Sequence, residues 1–265
     1  MTLKEKYGEW ALITGASSGI GEEFACFLAA QGLNLILVSR RKERLEKLSH
    51  ELKKKNRIEI VIAPVDLKNE NFINKLKELT GDKEVGMLIN NAGFGSKGEF
   101  ADFDSLQDVD MVKVNCIAPT ILTHHFVRPM IQRKKGAIIF LGSILACQPT
   151  PFMTTYSATK VFNAYMGDAL WYELKKYNID VLTLNPGSTS TEFHKIANAA
   201  TGPSLRTAKQ VVITAMKSLG KKPSVIDGFM NKLLGVSSHF CSRKNVVTIS
   251  GWITKKLYSG KNQSS

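Results

Sequence analysis

A phenol and an ammonium stand four residues apart, Tyr156 and Lys160, in the stretch TYSATKVFNAYMGDALWYELKKYNIDV that runs from 155 to 181. The remainder of the stretch reads as a helix leading into a strand, so the two side chains share one helical face, a turn apart. Pairs of this kind are common on helices and by themselves mean little. The sharper reading is acid–base chemistry, because a free tyrosine titrates near pH 10 and a neighbouring cation lowers that value. An ammonium about 4 Å away, at an effective dielectric near 20, is worth roughly 4 kcal/mol. That corresponds to about three pK units, which would bring Tyr156 near neutrality. The expectation is a tyrosine able to give or take a proton, if other parts of the chain supply something for it to act on.

A second cluster lies at the other end of the chain. TGASSGIG (14–21) sits between an apolar run and a helical pattern. Gly15, Gly19 and Gly21 permit a tight turn, close backbone approach to a pyrophosphate and tight helix–sheet packing. The helix start supplies unpaired N–H groups and partial positive charge for phosphates. The spacing is G-x-x-x-G-x-G, a departure from the usual G-x-G-x-x-G dinucleotide fingerprint, but the strand–turn–helix context is the required one. The second apolar run ends in SRR, with Ser39, Arg40 and Arg41 where a site for unphosphorylated ribose would carry an acidic residue. Guanidinium groups suit a 2′-phosphate, so the expected cofactor is NADP(H). Arg40 is expected to hold the phosphate, while Arg41 could equally begin the charged helix that follows.

The elements that must position these groups are readable as alternation. Short apolar runs at 10–14, 34–39, 58–65, 86–93, 137–143 and 179–187 read as strands, and 19–32, 41–55 and 69–80 as helices. A longer helical region follows the fourth strand; it is expected to be broken by APT at 118–120 and to end near RKKG at 133–136. The strands are continuous apolar runs, the pattern of a parallel sheet covered on both faces. Strand–helix repetition argues for an α/β, doubly wound architecture with any ligand along the carboxyl edge. No linker or repeat divides the chain, so one domain is expected.

Composition narrows the classes. The 265 residues carry a net charge of +13, and it is uneven. From 201 to 265, 11 Lys and Arg face one acidic residue, Asp227. That basic quarter suits a solvated surface, an anionic membrane surface, an acidic carrier protein or a phosphate-rich ligand. No nucleic-acid module is present. No run of about 18 apolar residues and no signal peptide are visible. Cys26, Cys116, Cys147 and Cys241 are scattered, which fits reduced thiols of a cytoplasmic protein better than disulfides or zinc ligands. His124 and His125 point to different helix faces and find no third ligand, so no metal is expected.

Taken together these residues resemble the short-chain dehydrogenase/reductase family, across roughly 8–228. TGASSGIG is similar to the family's cofactor loop, NNAG (90–93) to its second signature, YSATK (156–160) to its Y-x-x-x-K, and NPGSTST (185–191) to the segment at the nicotinamide end. The resemblance implies a single Rossmann-type domain with a seven-stranded parallel sheet. It places Asn115, Ser143, Tyr156 and Lys160 at the catalytic positions. Ser143 would hydrogen-bond the substrate oxygen, Tyr156 would exchange the proton, Lys160 would also hold the nicotinamide ribose, and Asn115 would hold a relay water. Cofactor contacts implied in the same way are Gly15, Ser17, Ser18, Gly19, Ile20 and Gly21 at the phosphates, and Asp66 and Leu67 at the adenine. Asn91, Ala92 and Gly93 would meet the ribose region, and Pro186, Gly187 and Thr189 the nicotinamide amide. Trp171 and Tyr172 lie on a helix that in this family often packs against a second subunit, implying a homodimer or homotetramer.

The expected domain layout is a catalytic and cofactor-binding core at 1–228 followed by a basic amphipathic extension at 229–265. Apolar residues recur at helical spacing in that extension, among Lys and Arg. It could cover the substrate pocket, pack at a dimer interface or lie on a membrane surface. It is similar to extensions in the hydroxysteroid dehydrogenase and long-chain 3-oxoacyl reductase branch. Phe152 and Met153 are candidates for the substrate wall or for ordinary core. The leading function is an NADP(H)-dependent oxidoreductase acting on a carbonyl or secondary alcohol of a largely apolar substrate. The alternatives are a cofactor-sensing binding protein and a membrane-peripheral scaffold.

Overall fold

The computed structural model describes residues 1–190, 206–237 and 241–259. A short capped helix, α1 (Leu3–Tyr7), precedes β1 (Trp10–Thr14), α2 (Gly19–Ala30), β2 (Asn34–Ser39), α3 (Lys42–Lys55), β3 (Ile60–Pro64), α4 (Phe72–Thr80) and β4 (Val85–Asn90). Next come α5 (Ser105–Val112), α6 (Ala118–Arg133), β5 (Gly136–Leu141), α7 (Thr154–Lys175) and β6 (Ile179–Asn185). The chain continues through β7 (Thr189–Ser190), β8 (Arg206–Thr207), α8 (Ala208–Ser218), β9 (Ser224–Ile226), α9 (Phe229–Ser237) and α10 (Arg243–Ser259).

The sheet has seven strands in the order β3-β2-β1-β4-β5-β6-β9, and every pairing is parallel. Alternate strand residues feed two separate cores. Ala11, Ile13, Leu35, Leu37, Met87 and Ile89 face Phe24 and Leu28 of α2, Leu45 of α3 and Val211 of α8. Leu12, Ile36, Val38, Leu88, Ile138 and Phe140 face Leu76 of α4, and Leu122, Phe126 and Met130 of α6. Both faces are therefore covered, which is why the strands lack polar alternation. The strand order reverses between β1 and β4, and the crevice outside their carboxyl ends is where such sheets take ligands.

One expected boundary differs. APT does not break the helical region; the chain passes from α5 through one π turn, Lys113–Ile117, directly into α6. Pro119 sits in the first turn of α6, and having no N–H it leaves the Asn115 carbonyl without its usual helical partner. The Asn163 amide of α7 donates to that carbonyl at 2.9 Å instead. Helicity continues because a side chain supplies the bond that proline cannot.

Candidate active site

A cavity of about 870 Å³ follows the carboxyl edge of the sheet from the β1–α2 loop to α10. At its first end the chain turns at Gly15, with φ at +67°, and enters α2 at Gly19. A β-carbon at Gly15 would lie 2.8 Å from Asn91 Nδ2 and 3.0 Å from Ala92 Cα, so only glycine fits between the loop and the end of β4. The Asn91 amide donates to the Thr14 carbonyl at 2.8 Å, and Thr14 Oγ1 accepts from the Asn91 and Ala92 N–H groups at 3.0 Å. These bonds lock the glycine loop to NNAG. Ser17, Ser18, Gly19 and Ile20 face the cavity. Gly21 packs against Gly15 and Asn91, where a β-carbon would run into the Gly15 carbonyl oxygen, so close helix–loop approach requires glycine there.

The end of β2 places the two arginines differently. The Arg41 guanidinium reaches back over the loop, donating from Nη2 to Ser17 Oγ at 2.9 Å and to Ser18 Oγ at 2.8 Å, and from Nε to Ser17 Oγ at 3.1 Å. Ser39 Oγ accepts from the Arg41 N–H at 3.2 Å and fixes the turn. Arg40 also lines the cavity, but it is exposed, whereas Arg41 is held between strand and glycine loop. Arg41 thus both precedes α3 and reaches the glycine loop. Asp66 and Leu67 wall the same end, and Asp66 Oδ1 caps its own turn by accepting from the Lys68 N–H at 3.0 Å.

The chemical end is built from β4, β5, α7 and the π turn. Ser143 follows β5; its N–H donates to Asn185 Oδ1 at 3.0 Å, and its Oγ accepts from the Leu145 N–H at 3.1 Å. The Ser143 hydroxyl also lies near enough to the Tyr156 phenol to favour its charged form. Lys160 Nζ donates to the Leu141 carbonyl at 2.8 Å and stands 5.5 Å from the centre of the Tyr156 ring. Tyr156, Lys160 and Ser143 are all buried and all line the cavity.

The electrostatics overturn one expectation. Burial pushes the Tyr156 phenol up from its ordinary value, and Ser143 only partly opposes this. Burial also lowers Lys160 to about 8, with Cys116 a small opposing influence. Desolvation disfavours phenolate and ammonium alike, so burial outweighs the attraction that was to lower the phenol, while Lys160 stays largely charged at neutral pH. That direction favours the protonated phenol, the form required of a proton donor.

Asn115 has no exposed surface and does not line the cavity. Its Nδ2 donates to the Phe94 carbonyl at 2.9 Å and to Thr159 Oγ1 at 3.0 Å, while its Oδ1 accepts from the Phe94 N–H at 3.1 Å. Both amide protons are thus committed to bracing NNAG and α7. That geometry ties the segment after NNAG to α7. Ala92, Gly93, Pro186, Gly187 and Thr189 all reach the cavity, as does Met153; Phe152 does not. Thr191, the last residue of NPGSTST, lies outside the described residues, as do 238–240 and 260–265 of the extension.

Some lining residues were not anticipated. Lys97, Gln148, Thr150, Ser188, Ser250 and Thr254 reach the cavity. Ser250 and Thr254 are buried small polar residues four apart on α10, with Val246 buried one turn earlier. That spacing was the readable signal that one face of the extension turns inward. Among the thiols, Cys116 is buried, Cys26 and Cys147 are half-buried, and Cys241 is exposed.

The family model of short chain dehydrogenases matches residues 9–202. The chain belongs to the short-chain dehydrogenase family. Its members include oxidoreductases similar over most of this chain. A 7beta-hydroxysteroid dehydrogenase of Clostridium sardiniense is 32% identical over 236 residues, covering 88% of this chain and 90% of the relative. The very-long-chain 3-oxoacyl-CoA reductase of Homo sapiens is 30% identical over 263 residues, covering 97% and 81%. Hydroxysteroid dehydrogenase-like protein 1 of Gallus gallus is 35% identical over 187 residues, 69% of this chain, and the match spans only 56% of that longer protein. A solved structure described for 7beta-hydroxysteroid dehydrogenase stereoselectivity superposes with a TM-score of 0.86 at 28% identity, over 94% of this chain and 99% of that one. A short-chain dehydrogenase of Sphingobium yanoikuyae in complex with NADPH superposes at 0.78, with 27% identity over 87% and 93%. This dehydrogenase fold and its family are those the motifs implied, within the hydroxysteroid dehydrogenase and oxoacyl reductase branch.

Proposed function

We propose that the protein is an NADP(H)-dependent oxidoreductase interconverting a carbonyl and a secondary alcohol on a largely apolar substrate, such as a 3-oxoacyl thioester or a steroid-like ketone. The observation that carries this is the placing of Tyr156, Ser143 and Lys160 together, buried, in one cavity that continues to a glycine loop crossed by Arg41. The residues fit a nicotinamide dinucleotide. The glycine turn leaves no room for a β-carbon, the start of α2 offers N–H groups, and Ser17, Ser18 and Arg41 form a donor cluster suited to a 2′-phosphate. Homologues named for steroid and long-chain acyl substrates support the substrate class, and the NADPH complex of a structural neighbour supports the cofactor.

Bound nicotinamide would supply or accept the hydride. The chain's own residues do the rest. Ser143 orients the substrate oxygen by hydrogen bonding, and its backbone is pinned by Asn185 so that the hydroxyl keeps its direction. Tyr156 passes its phenolic proton to that oxygen as negative charge develops there. Lys160 stands beside the ring to offset the charge left on the phenolate. Ile144, Leu145, Met153 and Ile253 exclude water from the carbonyl and favour an apolar substrate.

We assign 1–228 to the catalytic unit and 229–265 to a segment closing its substrate side. The protein is proposed to work in the cytoplasm as a homodimer or homotetramer, with Phe162, Tyr165 and Tyr172 exposed on α7 as the associating face. Light scattering on the purified chain tests the association. The function is tested by NADPH consumption with 3-oxoacyl thioesters, steroid ketones, diketones and aldehydes, with Tyr156→Phe as blank. Turnover that vanishes in the variant supports the assignment. Silence across the panel despite NADPH binding favours a cofactor-sensing role.

A further inference from the structure

The C-terminal helices present a surface that the catalytic reading leaves unexplained. Phe229, Met230, Leu233 and Leu234 of α9 are each more than half exposed. Ile249 and Trp252 of α10 are exposed to 54% and 66%, while Val246, Ser250 and Thr254 on the neighbouring face are buried. Ordinary surface helices do not leave this much aromatic and aliphatic area in water without a purpose.

Both helices sit on one short segment beside the cavity. A β-carbon at Gly235 would lie 2.8 Å from Ile226 Cδ1 and 3.1 Å from Cys147 Sγ, so α9 is seated against 144–147 by a glycine contact. Gly251 of α10 lies against Pro151 in the same way. Ile144, Leu145, Gln148 and Thr150 from that segment line the cavity, as do Ser250 and Thr254. The two helices that carry the exposed apolar side chains are therefore seated beside the substrate end.

Charge selects the occupant. From 229 to 265 the chain has six Lys and Arg and no Asp or Glu. Lys232 lies on α9; Lys244, Lys255 and Lys256 lie on α10, and Lys256 Nζ stands 5.4 Å from the centre of the Trp252 ring. Apolar side chains rimmed by cations with no acid among them match a bilayer whose headgroups are anionic. The same charge on a second copy would repel it. No helix among the described residues is long and apolar enough to cross a membrane, so the contact is with the surface.

We propose that α9 and α10 dock the protein on an anionic lipid surface, with the substrate end of the cavity held against the headgroups. Resting on the reductase reading, an apolar carbonyl compound dissolved in the bilayer then enters without crossing bulk water. The docking itself is independent of turnover, so each idea fails separately.

The test is co-sedimentation of the full chain with phosphatidylcholine vesicles, with and without phosphatidylglycerol. Binding about tenfold stronger to the anionic vesicles is expected, weakening as salt is raised. Tryptophan emission should shift to the blue on binding, and Trp252→Phe should remove the shift. Phe229→Ser with Leu233→Ser should abolish binding, and Lys255→Glu with Lys256→Glu should abolish the preference for anionic lipid. Retained NADPH affinity shows that these variants fold. Equal sedimentation with both vesicles, or variants that bind as wild type does, overturns the proposal. So does a dimer in solution that the same substitutions dissolve, because the face then belongs to a second copy.

Discussion

The two ends of the cavity are made differently. The end that receives Arg41 and the glycine loop is built from backbone turns of the first 93 residues, locked by bonds such as Asn91 to the Thr14 carbonyl. The substrate end is assembled from side chains far apart in sequence, from Phe94 through Met153 to Thr254. Backbone geometry that must approach a phosphate tolerates few residues, so it leaves a fixed spelling. An apolar wall only has to be filled, and many residues can fill it. One end thus encodes what all members of such a family need, and the other encodes what distinguishes this one.

The largest test of that division is Tyr156→Phe. Loss of the proton donor should lower kcat by about 10³-fold, while NADPH affinity from fluorescence titration stays within about twofold. An equal loss of both would mean the two ends are one unit. Next is Asp227→Ala. Asp227 has no exposed side-chain surface; it accepts from Arg206 Nε and Nη2 at 2.9 Å each and from Thr214 Oγ1 at 2.6 Å, tying β8 and α8 to the strand end that launches α9. Removing it should cost about 3 kcal/mol, read in denaturant unfolding. Substrate KM should rise before cofactor affinity changes.

Arg41→Ala should weaken NADPH binding by about 10- to 100-fold, the worth of about one charge-assisted bond, and leave NADH binding nearly untouched. Arg40→Ala should have the smaller effect, and the reverse ranking would undo the assignment made from the Ser17 and Ser18 contacts. At the other end, Ile253→Ala should change KM among substrates of different size by about 10-fold or less and not touch the cofactor. The smallest signal is in pH. Lys160 titrates near 8 in the fold and near 10.4 unfolded, so between these values the unfolded chain binds more protons. Stability relative to a Lys160→Met variant should therefore rise with pH across that window, and a flat difference curve would show that the lysine is not desolvated.

Most of the cofactor end could be read before any coordinates, because turns, helix starts and strand ends impose local rules. The different placing of Arg40 and Arg41 could not, since it depends on which side chain bends back over a loop 24 residues earlier. The uninterrupted path from α5 to α6 was likewise hidden. Pro119 reads as a breaker, and only the distant Asn163 amide makes its missing bond good. The Tyr156–Lys160 spacing was plain, but its electrostatic sense was not: burial, a property of the packed whole, outweighs the pair attraction that spacing suggests. Around α10 the inward face was visible as periodicity. Its seat against Pro151 was not, because nothing in local sequence names the partner of a glycine contact.

The strand order has a consequence in time. β1 lies between β2 and β4, so the phosphate and adenine part of the cradle is encoded in the first 93 residues, while its nicotinamide part waits for Lys160 and 186–189. The wall that completes the cavity arrives with Ser250 and Thr254, near the end. At about 5–20 residues per second on a ribosome, the interval is on the order of ten seconds or more. During that interval a nascent chain has the phosphate and adenine part of the cradle but no finished pocket for a carbonyl. The parts that recognise the nucleotide are thus made well before the parts that recognise a carbonyl.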